Sequence, residues 1–286
     1  MNQAALPFPN DTIRKILDAM TLAARAAESV IRDGATRRSS LVWETKSAAD
    51  YVTEIDVTSE RVIRDLLVER LGSDLGSHSS GLPVLGEESW KDEPVPDGLT
   101  FVVDPLDGTT NFLHGLPAYS VSIAALMDGE PLVALVLDIP HNTLFTAVRG
   151  AGAFSNGMPI HVSTITEPAR ALIATGFPFG DDADTVRYAR HFVPVAEQAA
   201  GIRRVGSAAL DLAWVAAGHF EAFWELSLSP WDIAAGILLV REAGGLVTTL
   251  DGISAGIHSS PIVAGNPAMH SWLLDVLQRA DADVGA

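Results

Sequence analysis

Hydrophobic positions fall first into a helical period. Ile13, Ile16, Leu17, Met20, Ala24, Ala27 and Ile31 recur at intervals of three and four after the start signal Pro9-Asn10-Asp11, and Gly34 closes the run. This spacing predicts an amphipathic helix. A second helix is expected over 56–71, with Val62, Ile63, Leu66, Leu67 and Leu71 on its buried side and Asp56 as its candidate N-cap. The polar stretch 41–53 between them reads as loop or edge strand. From residue 101 the period shortens: 101–103, 120–127, 132–138 and 144–148 are apolar runs of strand type, and Asp128-Gly129-Glu130-Pro131 carries the turn chemistry of a hairpin. After Asn156-Gly157 the two kinds of element alternate. Strands are expected over 171–175, 202–205, 220–225, 246–249 and 262–264, and helices over 183–200, 208–217, 231–243 and 268–280. These patterns predict layered sheets and helices, α+β grading into α/β, with units 1–156 and 157–286.

Composition narrows the function classes. The chain has 286 residues, 48% of them hydrophobic, enough for well-buried cores. It has no cysteine, which excludes disulfides, thiolate metal sites and cysteine nucleophiles. Its start lacks a basic region followed by an apolar core, and no stretch approaches the roughly 18 apolar residues of a spanning helix, so a soluble, cytoplasmic protein is expected. With 19 Lys+Arg against 36 Asp+Glu, the formal charge of −17 repels nucleic acid and anionic membrane, and neither is an expected partner.

The acids that matter are clustered at three points. Gly86-Glu87-Glu88-Ser89 follows one apolar step, Asp104-Pro105-Leu106-Asp107-Gly108-Thr109-Thr110-Asn111-Phe112 follows another, and Asp232 stands in Ser229-Pro230-Trp231-Asp232-Ile233-Ala234-Ala235-Gly236. No lysine or arginine lies between Glu93 and Asp107. Carboxylates with an intervening carbonyl are the oxygen ligands that hard cations such as Mg²⁺ require. Each point also has a plainer account. DGTT can be a turn before a capped helix, paired glutamates can be solvated, and Asp232 can simply complement a helix dipole. Gly150-Ala151-Gly152-Ala153 reads as a turn between strands, not a nucleotide loop.

In combination and in order, the three segments resemble the signatures of the inositol monophosphatase family of metal-dependent phosphatases. The resemblance implies a layered αβαβα sandwich of the inositol monophosphatase and fructose-1,6-bisphosphatase type. Glu87, Asp104, Asp107, Asp232 and the Leu106 carbonyl match the family's ligands for two or three Mg²⁺ ions. Thr109 and Asp56 match the pair that activates the attacking water, and Glu87 helps to orient it. Gly108, Thr109 and Thr110 match the phosphate cradle. Gly206, Ser207, Ala208 and Glu225, with Asp232, match the segment that contacts the alcohol half. The resemblance further implies lithium sensitivity, a homodimer and a small phosphate monoester as substrate, inositol-1-phosphate first. Histidinol phosphate, fructose 1,6-bisphosphate and adenosine 3′,5′-bisphosphate are the alternatives. An interaction protein that keeps the phosphatase scaffold is the rival from another class. On this view residues 1–156 carry most metal ligands and the catalytic threonine, and 157–286 carry Asp232 and the selectivity residues.

Overall fold

The computed structural model describes residues 10–47, 50–75, 81–90, 94–178 and 184–282. Helices α1 (Asn10–Thr36) and α2 (Glu54–Leu75) pack on each other, with a small hairpin of β1 (Glu44–Ser47) and β2 (Asp50–Val52) between them in sequence. They cover one face of a seven-stranded sheet built from β3 (Val84–Gly86), β4 (Leu99–Asp107), β5 (Ser120–Met127), β6 (Glu130–Asp138), β7 (Thr143–Val148), β8 (Gly152–Ser155) and β9 (Met158–Ile160) in that spatial order. Only β3 and β4 pair in parallel; the rest form an antiparallel meander. The short helix α3 (Thr109–His114) follows β4 directly. The second sheet comprises β10 (Leu172–Thr175), β11 (Gly201–Arg203), β12 (Ala222–Glu225), β13 (Leu246–Thr248) and β14 (Ile262–Gly265) in the order β11-β10-β12-β14-β13. Helices α4 (Thr185–Gln198) and α7 (Pro267–Ala282) lie on its outer side, and α5 (Ala208–Ala216) and α6 (Pro230–Glu242) fill the space between the two sheets. The layers are therefore αβαβα, as expected.

Position in this stack explains the sequence patterns. Outer helix α1 buries one stripe, including Ile16, Met20, Ala27 and Ile31, against the first sheet. Central helices α5 and α6 are covered from both sides and are apolar almost all round, from Leu210 and Val215 to Ile237 and Val240. Strand β4 is buried along its whole length, which is why it reads as a continuous apolar run up to Asp104.

Several boundaries differ from expectation for local reasons. Helix α2 begins before Asp56, because Thr53 is the residue whose hydroxyl accepts the Ile55 N–H at 3.1 Å, while Asp56 reaches back to the Thr53 N–H at 2.9 Å. Thr53 is therefore the capping residue and Asp56 closes back on it from the first turn, so Asp56 is not the N-cap. The hairpin turn is Asp128-Gly129 alone, with Glu130 and Pro131 already paired in β6. Strand β9 has no expected counterpart, and Asn156-Gly157 is the exposed turn between β8 and β9 of the first sheet. Pro9 and Ala183, where two helix starts were expected, lie outside the described residues. Among the described residues no helix is long and apolar enough to cross a membrane.

Candidate active site

Asp104 and Asp107 are three residues apart in β4, a spacing that in a regular strand sends side chains to opposite faces. The pairing with β5 shows how both reach one side. Asp104 stands opposite Ser122 and Asp107 opposite Ser120, so β4 spends three steps where β5 spends two. This is a bulge, centred on Pro105, which has no N–H to give to the ladder. The Leu106 N–H turns back to Asp104 Oδ1 at 3.0 Å. Next to it, Glu87 leaves the end of β3 with its N–H on the Val103 carbonyl at 3.0 Å, extending the parallel pairing by one step.

Gly108 then reverses the chain with φ 89°, and a Cβ there would stand 2.9 Å from the Ala118 carbonyl oxygen. The turn starts α3 and presents Thr109. Its hydroxyl contacts Asp56 Oδ1 at 2.9 Å and the Leu106 carbonyl at 3.0 Å. The other Asp56 oxygen accepts the Thr53 N–H and the Thr53 hydroxyl, the latter at 2.6 Å. Asp56 is 1% exposed and sits behind Thr109, not in the cavity lining. Asn111 fastens this corner to the second half of the chain, donating to the carbonyls of Ala118 at 2.7 Å and Val205 at 2.9 Å.

The remaining acids are fixed by neutral donors. Asp107 Oδ2 accepts from the Ser207 hydroxyl at 2.5 Å, the Ala209 N–H at 2.9 Å and, more weakly, the Ser120 hydroxyl at 3.4 Å. Ser207 is at the same time the N-cap of α5, accepting the Leu210 N–H. Asp232, in the first turn of α6, accepts the Ser229 N–H at 2.7 Å. Trp90 and Trp231 meet edge to face at 5.8 Å, which ties the segment after Glu87 to the start of α6.

These pieces surround one cavity of about 390 Å³. Glu87, Asp104, Leu106, Asp107, Gly108, Thr109, Thr110, Gly206, Ser207, Ala208, Glu225 and Asp232 all line it. Burial pushes the Asp104 carboxyl well above the usual carboxylate range, and the charges of Glu87, Asp107 and Asp232 push in the same direction. Asp107 is raised by burial against the pull of its Ser207 and Ala209 hydrogen bonds. Glu225 is raised well up by burial and then by Asp232, with Arg204 opposing. Asp56 is raised by burial, offset in part by Thr53 and Thr109. Among the described residues, no three His, Cys, Asp or Glu side chains converge tightly enough to hold an ion as placed. The four carboxylates line the cavity without closing on one point. Their donor set, oxygen only, fits a hard divalent cation.

The sequence left some lining residues unmarked. Asp211 is 1% exposed with no hydrogen-bond partner for Oδ1, and burial, Glu225 and Asp107 raise its carboxyl well above the usual range. A lone acid in an otherwise apolar helix was the available signal. Arg204, whose guanidinium lies 5.2 Å over the Phe177 ring, and Tyr51 complete the rim. Nothing in their local sequence distinguishes them.

Relatives place this geometry in context. A sequence model of the inositol monophosphatase family matches residues 12–282. Nus factor SuhB of Pseudomonas aeruginosa is 42% identical over 270 residues, covering 93% of this chain and 97% of that one. The inositol-1-monophosphatase of Rhizobium meliloti is 39% identical over 255 residues, covering 89% and 92%. The crystal structure of extragenic suppressor protein suhB from Bartonella henselae superposes with a TM-score of 0.84 at 37% identity, over 92% of this chain and 98% of that one. Agreement along nearly the whole chain, in a fold that gathers the acids of all three motifs around one cavity, shows that this protein belongs to the inositol monophosphatase family of metal-dependent phosphatases.

Proposed function

We propose that the chain is a Mg²⁺-dependent phosphomonoesterase that hydrolyses inositol-1-phosphate, or a similar polyol phosphate, to the free alcohol and inorganic phosphate. The observation that carries this reading is the Thr109 hydroxyl, held by buried Asp56 at the edge of a cavity ringed by Glu87, Asp104, Asp107 and Asp232. Glu87, Asp104, Asp107, Asp232 and the Leu106 carbonyl would hold two or three Mg²⁺ ions, which when bound supply the positive charge that stabilises entering and leaving oxygens in an in-line displacement.

The chain's own groups account for the rest. With its proton directed at Asp56 Oδ1, Thr109 Oγ1 keeps a lone pair for a proton of the attacking water. Asp56 is suited to take up that proton because burial raises its carboxyl, while Thr53 holds its second oxygen still. As the water oxygen bonds to phosphorus the ester P–O bond breaks, the departing alkoxide takes a proton from solvent water, and Asp56 returns its proton to solvent. Amides in the first turn of α3 have no acceptor within the helix, so Thr109 and Thr110 can offer theirs to phosphate oxygens. Ser207 is spent on Asp107, and so acts on the alcohol half through its backbone neighbours Gly206 and Ala208. Glu225, 5% exposed at the cavity wall, would accept hydroxyl donors of a polyol and disfavour alcohols that lack them. The same reading takes the protein as a cytoplasmic, lithium-sensitive homodimer.

The test is phosphate release from inositol-1-phosphate, histidinol phosphate, fructose bisphosphate and adenosine bisphosphate, with and without Mg²⁺. The expected result is the highest kcat/KM on inositol-1-phosphate, and only with Mg²⁺ present. No release across the panel by folded, metal-loaded protein would overturn it. That outcome would favour an interaction role on the same scaffold, for which the observation is the 42% identity to the Pseudomonas Nus factor.

A further inference from the structure

Helix α2 carries a second buried acid that the chemistry above does not use. Glu60 lies one turn beyond Asp56 on the same side of the helix and is 3% exposed. Its Oε2 accepts the Glu88 backbone N–H at 2.7 Å, and its Oε1 accepts from the Arg64 guanidinium at 3.0 Å. Arg64 also donates to the Ser89 hydroxyl. On the other flank of Glu87, Gly86 is shaped around the same carboxyl: a Cβ on Gly86 would stand 2.2 Å from the Glu60 carboxyl carbon and from Oε2.

We propose that Glu60 is a positioning residue that aims Glu87 into the cation cavity by fixing the backbone on both sides of it, and this rests on the reading of Glu87 as a cation ligand. Adding a carboxylate beside Glu87 ought to worsen the repulsion in the cavity. It does not, because both Glu60 oxygens are committed, one to a guanidinium and one to an amide. Glu60 therefore does not compete for the ion. A single rigid helix thus sets two parts of the site, Asp56 behind Thr109 and Glu60 behind Glu87.

Calorimetric titration with Mn²⁺ tests this on the full chain, alongside the Mg²⁺ dependence of hydrolysis and thermal melting in EDTA. Glu60→Ala is expected to weaken Mn²⁺ binding about 10–100-fold, the usual effect of removing a group that orients a ligand. The Mg²⁺ concentration for half-maximal rate should rise in parallel, while the rate at saturating Mg²⁺ stays near wild type. Glu60→Gln retains an oxygen for the Glu88 N–H and should stay close to wild type in affinity. Gly86→Ala should weaken binding as Glu60→Ala does, and the double substitution should be no worse than either. Unaltered Mn²⁺ affinity in folded Glu60→Ala, or a Gln variant as weak as Ala, overturns the proposal. If Glu60→Ala does not fold, Gly86→Ala decides, since unchanged affinity there has the same meaning. Wild-type protein that binds Mn²⁺ yet hydrolyses no ester would sink the phosphatase reading and leave Glu60 to the binding data. Wild-type protein that binds no Mn²⁺ would overturn both.

Discussion

Asp281 on the outer layer and Asp104 in the cavity are both hydrogen-bonded acids, and they are held in opposite ways. Asp281 receives Arg187 at 2.6 Å and the buried His191 ring at 2.8 Å, which pins α4 to α7. Burial alone would raise its carboxyl, but these partners bring it below the usual range. Asp104 accepts only the Leu106 N–H among the described residues and forms no ion pair there; its carboxyl is driven up. The first acid is neutralised by the chain and serves as a brace. The second is oriented by one neutral N–H and pressed by neighbouring acids, an arrangement that costs stability until a cation arrives. Arg64 beside Glu60 and Arg25 with Arg32 beside Glu28 repeat the first pattern; Asp107 repeats the second, and Asp211 and Glu225 share its raised carboxyl with Arg204 opposing.

Four experiments bear on that contrast, in falling order of effect. Asp104→Asn should cut Mg²⁺-dependent hydrolysis by at least about 10³-fold, beyond the 10–100-fold typical of a residue that merely supports a ligand. In EDTA at neutral pH the same variant should melt higher than wild type, and a lower melting temperature would mean Asp104 is a brace after all. Thr109→Ala should lower kcat by about 10²–10³-fold with unchanged Mn²⁺ affinity, since it removes a proton-relaying group and no ligand; calorimetry and initial rates separate the two.

The third experiment concerns pH. For Asp104, Asp211 and Glu225 the folded protein binds protons more tightly than the unfolded chain, so unfolding free energy falls as pH rises from the ordinary aspartate value of 3.8 through the raised folded values. Cation-free protein should therefore lose melting temperature from mildly acidic to neutral pH, and saturating Mg²⁺ should reduce the slope by the share that Asp104 contributes. Asp281 and Glu28 have the opposite sign. Their contribution is complete above the ordinary value and is lost only as pH falls through the lowered one, so they add no slope in that window. A flat curve in EDTA would count against the uncompensated cavity. Smallest of all, Asp281→Asn should cost about 1 kcal/mol, or about 2 °C in Tm, with hydrolysis intact.

Much of this was legible in the chain itself. Helical spacing in α1 and strand runs in β5 to β7 foretold elements that the structure contains, and every residue that the motifs offered as a cation ligand lines the cavity. What escaped was of two kinds. Short strands such as β9 have too few residues to show a period. Groups such as Ser120, Arg204 and Glu60 acquire their roles from partners 13 to 28 residues away or more, and no local pattern records such contacts. The β4 bulge lies between these cases. The apolar run 101–103 left Asp104 and Asp107 beyond the expected strand, whereas both lie within β4, and the register against Ser122 and Ser120 shows that the bulge turns both carboxylates the same way.

The acids come from both sheets: Asp104 and Asp107 from the first, Asp232 from the helix that follows a strand of the second. Neither half of the polypeptide supplies the whole cavity. On the proposed function, a chain severed at the exposed Asn156-Gly157 corner and supplied as two fragments should be silent apart and regain phosphate release on mixing, which would turn the protein into a reporter of its own reassembly.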